Sequence, residues 1–149
     1  MSAPLRRRAG ESPVRAETDA RSAGSALTVR EFFEEVRAGR LTIQRCVTCG
    51  ALAVPPKVIC PACEGTTWNR AALGGDGEVT SFTVIRVPPG RLVAEAPYAI
   101  VIVGMREGVS LLGRVVDVAL DALRVGLPVR FAPPDDATAD PPVLRFRPR

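Results

Sequence analysis

Four cysteines stand in two Cys-x2-Cys pairs, Cys46-Val47-Thr48-Cys49 and Cys60-Pro61-Ala62-Cys63, with ten residues between them. Two residues between ligands let the backbone wrap a single metal ion, and thiolates suit tetrahedral zinc. Gly50, after Cys49, and Gly65, beyond Cys63, are expected to supply the permissive dihedrals of such knuckles. With cysteine at every position the site is closed, and so structural rather than catalytic. The alternatives are a rubredoxin-type iron and a redox dithiol. Iron would colour the protein, and a redox Cys-x2-Cys usually comes singly, near a βαβ pattern that is absent here. Metal binding contributes on the order of 10 kcal/mol of folding free energy, which a segment of about 25 residues cannot draw from its own core. Lys57, the sole lysine, is a candidate to offset the net −2 of a four-thiolate zinc site.

The rest of the composition narrows the chemistry. The chain has 149 residues and no histidine. Within one chain this excludes Ser-His-Asp and Cys-His catalysis and any metal site with a histidine ligand. A general base would have to be an Asp, a Glu, Tyr98, Lys57 or a cysteine already committed to the metal. Asp117 and Asp121, four apart, read as exposed acids near a turn. The formal charge is +4, but it sits in the ends. Residues 1–27 carry five Arg against three acids, and Arg145, Arg147 and Arg149 add three more, so residues 28–144 are left at −1. Bulk charge therefore does not argue for a nucleic-acid face.

The elements that must position the cysteines can be read around them. Residues 1–27 are rich in Arg, Ala, Ser, Gly and Pro and read as a disordered basic tail. An N-terminal helix over 28–40 follows. Thr28 and Glu31 form a capping box, Leu27 and Phe32 a hydrophobic staple, and Gly39 suits the stop. Val29, Phe32, Phe33 and Val36 share one helical face. Phe32 and Phe33 either pack on their own domain or dock on another subunit. A zinc ribbon over 41–72 begins with the alternating strand Leu41-Thr42-Ile43-Gln44-Arg45, and the prolines at 55 and 56 argue against a central strand there. From 73 to 149 the chain reads as all-β, with strands near 78–87, 98–105, 109–118, 128–132 and 143–147 and a short helical turn over Asp121 to Gly126. Five short strands with a connection after the third fit an OB-type barrel, with Gly113 allowing a sharp bend.

These pieces together resemble a known family. The stretches GRLTIQRCVTCG, PPKVICPAC, Trp68, GDGEVTSFTVI, APYAIVIV, EGVSLLGRVVD and VGLPVRF follow the order of small proteins that join a rubredoxin-like zinc ribbon to an OB-fold. The resemblance implies a mainly β fold with an N-terminal helix, a structural Zn2+ on Cys46, Cys49, Cys60 and Cys63, and no catalysis. It implies a partner: a thiolase, a thiolase-like aldolase, an acyltransferase or an enoyl-CoA hydratase acting on acyl-CoA. The helix and ribbon would form the contact, with Phe32 and Phe33 as candidates, and the barrel would lie near the acyl-CoA entrance. Arg86, Arg91, Arg106 and Arg114 can be imagined on the phosphates of coenzyme A, although each also reads as a solvent-facing residue. No acyl-CoA-binding residue transfers from the family.

The alternative is a single-stranded nucleic-acid module, since ribbons and OB-folds both serve that role. Against it stand the negative body and the few barrel aromatics, Phe82, Tyr98, Phe131 and Phe146, the last on an expected core face. No apolar stretch of signal-peptide length follows Arg6-Arg7-Arg8, and the expected setting is the cytoplasm, without a membrane partner.

Overall fold

The computed structural model describes residues 26–149, apart from 137 and 140. The basic tail, but for its last two residues, lies outside the described residues.

Helix α1 spans Val29–Arg37 and begins as its sequence dictates. The Thr28 hydroxyl accepts from the Glu31 N–H at 3.1 Å, and Glu31 Oε2 accepts from the Thr28 N–H at 2.8 Å. This satisfies two of the donors that a helix start leaves orphaned. At the other end Gly39 takes φ +77°, and the N–H groups of Gly39 and Arg40 bond back to Val36 and Glu35, closing a Schellman stop. Leu27, Phe32 and Val36 are buried in the chain's main core.

The helix is clamped to a small sheet of β1 (Thr42–Cys46), β2 (Leu52–Ala53) and β3 (Trp68–Ala72), in the order β2-β1-β3. Glu35 accepts from Arg40 at 2.8 Å and from the Thr42 hydroxyl at 2.9 Å. Glu31 also accepts from Arg70 at 2.6 Å, so the capping residue ties the helix to β3. Strand β3 carries no alternating apolar signal and was not anticipated. It forms because five consecutive residues register against β1, from Thr42 opposite Ala72 to Cys46 opposite Trp68.

Five further strands close into a barrel in the order β4-β5-β6-β8-β7: β4 (Asp76–Ile85), β5 (Tyr98–Met105), β6 (Ser110–Val115), β7 (Pro128–Ala132) and β8 (Arg145–Pro148). All neighbours are antiparallel except β6 and β8, which run parallel. This is the expected mainly β architecture: one short helix, a ribbon and a five-stranded OB-type barrel. The interior is filled by alternate residues such as Val79, Val101, Val103, Leu111, Val129 and Phe146, and Leu41, Ile43 and α1 share the same core. Gly113 is required by close approach rather than by a bend. A Cβ there would lie 2.6 Å from the Leu144 carbonyl oxygen and 2.8 Å from the Phe146 ring.

Two connections differ from expectation. The short helical turn expected over Asp121 to Gly126 is replaced by two separate single turns, closed by the Ala122 N–H on the Ala119 carbonyl at 3.0 Å and the Leu127 N–H on the Arg124 carbonyl at 3.3 Å, with Gly126 at φ +82° leading into β7. A 3-10 helix over Gly90–Glu95 fills the link between β4 and β5, where only a break was anticipated.

Candidate metal centre

The two cysteine pairs sit on two copies of one turn. In the first, the Cys46 N–H bonds to the Ala51 carbonyl at 2.8 Å and the Gly50 N–H to the Cys46 carbonyl at 2.9 Å. In the second, the Cys60 N–H bonds to the Gly65 carbonyl at 2.8 Å and the Glu64 N–H to the Cys60 carbonyl at 2.8 Å. The matching positions, four residues after each leading cysteine, both need a left-handed backbone: Gly50 at φ +76° and Glu64 at φ +62°. The expected role of Gly50 is met, whereas that of Gly65 belongs to Glu64. Gly65 is needed for room instead, because a Cβ there would stand 2.9 Å from the Thr48 hydroxyl and 3.3 Å from Cys63 Sγ.

This folding brings all four sulfurs within 4.8 Å of one another. Cys46 and Cys63 are 3.5 Å apart, and Cys49 and Cys60 are 3.7 Å apart. A tetrahedral zinc with bonds of about 2.3 Å requires sulfurs about 3.8 Å apart. The residues present therefore fit such an ion in number, kind and spacing. Their electrostatics call for a cation. Cys46 is drawn down to about 6, first by the Cys49 backbone N–H and further by Thr48 and the thiols of Cys63 and Cys60. At Cys63 the Gly65 N–H pulls the pKa down, but burial and the sulfurs of Cys49, Cys46 and Cys60 outweigh it and push the thiol up to about 12. Four thiolates at these distances repel, and only a bound cation lets all of them ionise together.

A small apolar cluster backs the centre: Cys46, Cys60, Ala53 and Trp68. Trp68 is 1% exposed, and its Nε1 donates to the Val58 carbonyl at 3.0 Å. Gln44, fully buried, accepts from the Lys57 N–H at 2.6 Å. These two bonds hold the segment that leads into Cys60. Strand alternation around Gln44 gave no hint that an amide would be buried there. Lys57 thus contributes its backbone to the ribbon, while its side chain is exposed. In and beside the knuckles Val47, Val58 and Ile59 are 52%, 72% and 58% exposed.

The remaining candidates divide. Phe32 is 5% exposed and spent on the chain's own core, edge-to-face with Phe33 at 5.3 Å. Of the pair only Phe33 is half-buried and keeps surface to offer. Arg114 lies over the Tyr98 ring at 3.9 Å and pairs with Glu95, and Arg106 reaches Asp76 at 3.8 Å. Arg86 and Arg91 are exposed. Phe146 is interior and packs edge-to-face with Phe131, so among the barrel aromatics Phe82, at 37%, is the most open to solvent. No helix among the described residues is long and apolar enough to cross a membrane.

Comparison with known proteins also finds a ribbon part followed by a barrel part. Residues 33–69 match the family model described as "ChsH2, rubredoxin-like zinc ribbon domain", and residues 71–132 match "ChsH2, C-terminal OB-fold domain". A probable enoyl-CoA hydratase alpha subunit of Thermomonospora curvata is 36% identical over 118 residues, which are 76% of this chain and 36% of that protein. A DUF35 domain-containing scaffold protein of Methanocaldococcus jannaschii is 34% identical over 57% of this chain and 61% of its own length. Another, from Methanothermobacter thermautotrophicus, is 30% identical over 66% of this chain and 75% of its own. The chain thus spans about a third of the hydratase subunit and three fifths of the first scaffold protein. Among solved structures, a chain of one described as the Ltp2-ChsH2(DUF35) aldolase superposes with a TM-score of 0.71 at 31% identity, covering 92% of this chain and 98% of that one. A DUF35 protein of Sulfolobus solfataricus, at 19% identity and a TM-score of 0.59, shares the fold. With both halves matched in order and a near-complete structural counterpart, the chain belongs to the ChsH2 type of DUF35 proteins, which join a rubredoxin-like zinc ribbon to an OB-fold.

Proposed function

We propose that this chain is a non-catalytic accessory subunit, working in the cytoplasm, that binds an enzyme acting on acyl-CoA thioesters. The enzyme is of the thiolase superfamily (thiolase, aldolase or acyltransferase) or an enoyl-CoA hydratase. The chain would stabilise that enzyme and shape or cover its acyl-CoA site. The observation that carries this reading is the match, over 92% of this chain, to a chain of the Ltp2-ChsH2(DUF35) aldolase. The residues agree: histidine is absent, and the cysteines converge on one point as a closed set of ligands.

The metal is zinc, held by Cys46, Cys49, Cys60 and Cys63 in a structural role. It fixes the two knuckles whose rim of Val47, Val58 and Ile59, with Phe33 on the helix, forms the surface offered to the enzyme. Exposed apolar side chains grouped on a rigid frame are what a partner site requires.

The test is co-expression of the tagged chain with a thiolase-like aldolase and, separately, with an enoyl-CoA hydratase subunit. One of these enzymes should co-purify in fixed stoichiometry, and Val58→Asp with Ile59→Asp should release it while the chain stays folded. Failure of both enzyme classes to bind would remove the proposal.

A further inference from the structure

Strand β4 outruns its neighbour on one side. It pairs with β5 along its whole length, from Gly77 to Ile85, but with β7 only through Asp76, Gly77 and Glu78. Val79 makes the last contacts on that side: its N–H bonds to Leu127 at 3.0 Å, and its carbonyl accepts from Gly126 at 2.7 Å. The register with β5 then shifts between Val79 and Ser81, and β4 continues to Ile85 paired with β5 alone. Beyond that point no strand among the described residues pairs with the outer edge of Thr80–Ile85.

An open edge of this kind is ordinarily blunted by charge or proline, because its free N–H and C=O groups template further pairing. Here Val79-Thr80-Ser81-Phe82-Thr83-Val84-Ile85 has neither. Charges occur only at the two ends, Glu78 before the stretch and Arg86 after it, each four residues from Phe82 and of opposite sign. Both are exposed, and neither has an ion-pair partner among the described residues.

We propose that this edge joins two copies of the chain, antiparallel about a two-fold axis at Phe82. In that register Phe82 faces Phe82 of the second copy, Ser81 faces Thr83, and Thr80 faces Val84. Glu78 of each copy comes to the same end as Arg86 of the other, so the alignment complements itself twice. A parallel alignment in register would instead bring like charges together. A two-fold contact uses one patch on both copies, and this strand carries the matching sequence for it. Backbone pairing is supplemented by exposed apolar residues at the ends. Val87 is 92% exposed, and Val125, beside the Gly126 that caps the open edge, is 62% exposed. The contact is made by the barrel sheet and uses none of the residues of the proposed enzyme-binding rim, which belong to the ribbon.

The experiment is sedimentation velocity on the metal-loaded full chain across a dilution series, with Trp68 emission and far-UV circular dichroism as controls for folding. The wild type should populate a dimer, and Phe82→Lys should be a monomer at every loading. Glu78→Arg and Arg86→Glu should each weaken the dimer by about tenfold, and the double reversal should restore it. Glu78 and Arg86 are surface residues, so these variants decide the matter even if the change at Phe82 disturbs folding. A wild type that is monomeric throughout would overturn the proposal, as would a dimer indifferent to these substitutions or a double reversal without rescue. A monomer that loses its partner enzyme on Phe82→Lys would assign the edge to that enzyme and equally overturn it.

Discussion

Chelating the metal should expose Trp68 while leaving the barrel folded. Trp68 is the only tryptophan, is 1% exposed, and lies in the cluster of Cys46, Cys60 and Ala53. Its emission therefore reports on the ribbon alone, whereas the β signal in circular dichroism comes mostly from the barrel. Burying a tryptophan removes about 150–250 Å² from water, worth about 4–6 kcal/mol at 25 cal/mol per Å². A structural zinc contributes about 10 kcal/mol or more. The metal is thus the larger support of the knuckles, and the tryptophan cluster does not hold them without it. On the barrel side Leu41 and Ile43 belong to the main core, so β1 remains anchored at its start. A strong chelator should shift the emission to the red, release one equivalent of zinc and leave most of the circular dichroism unchanged. Cys49→Ser should produce the same emission before any chelator is added. Complete loss of metal with emission still blue would refute the reasoning, since the knuckles would then stand on packing alone.

Other outcomes follow from named contacts. Glu64→Gly removes a side chain from a left-handed position and should stabilise the metal-bound ribbon by about 1 kcal/mol, while Gly65→Ala should weaken zinc retention in a competition with a colorimetric chelator. Gly113→Ala pushes a Cβ against the Leu144 carbonyl and should cost about 1–3 kcal/mol in a denaturant melt. Glu35 is held down at about 2, from an ordinary 4.5, chiefly by its bond from Arg40 and also by the Thr42 hydroxyl. A depressed carboxylate stabilises the fold above its unfolded pKa, so this contribution should be full above pH 4.5 and fade as the pH falls toward about 2. Glu35→Gln should flatten the acid limb of the stability profile across that window.

Much of the fold was legible because local and tertiary preferences agree. The capping box at Thr28, the glycine stop at Gly39 and the turn residues Pro88-Pro89-Gly90 and Glu107-Gly108 on either side of β5 all express short-range rules. The four cysteines were legible because metal geometry restricts ligand spacing more tightly than packing restricts side chains. What sequence left hidden depends on distant neighbours. Strand β3 has weak strand character and exists through its register with β1. Gln44 is buried because a loop thirteen residues away needs an acceptor for its Lys57 N–H. The left-handed backbone at Glu64 is imposed by the knuckle geometry and contradicts the preference of its own side chain. Phe32 and Phe33, adjacent and alike in sequence, are separated only by which of them points at Val36 and the barrel core.

The most direct test of the accessory role compares acyl-CoA turnover and thermal stability of the partner enzyme with and without this chain. The two together should turn over substrate, the enzyme alone should be weakly active and less stable, and the isolated chain should be inert. Turnover by the isolated chain, or full activity and stability of the enzyme without it, would contradict the account.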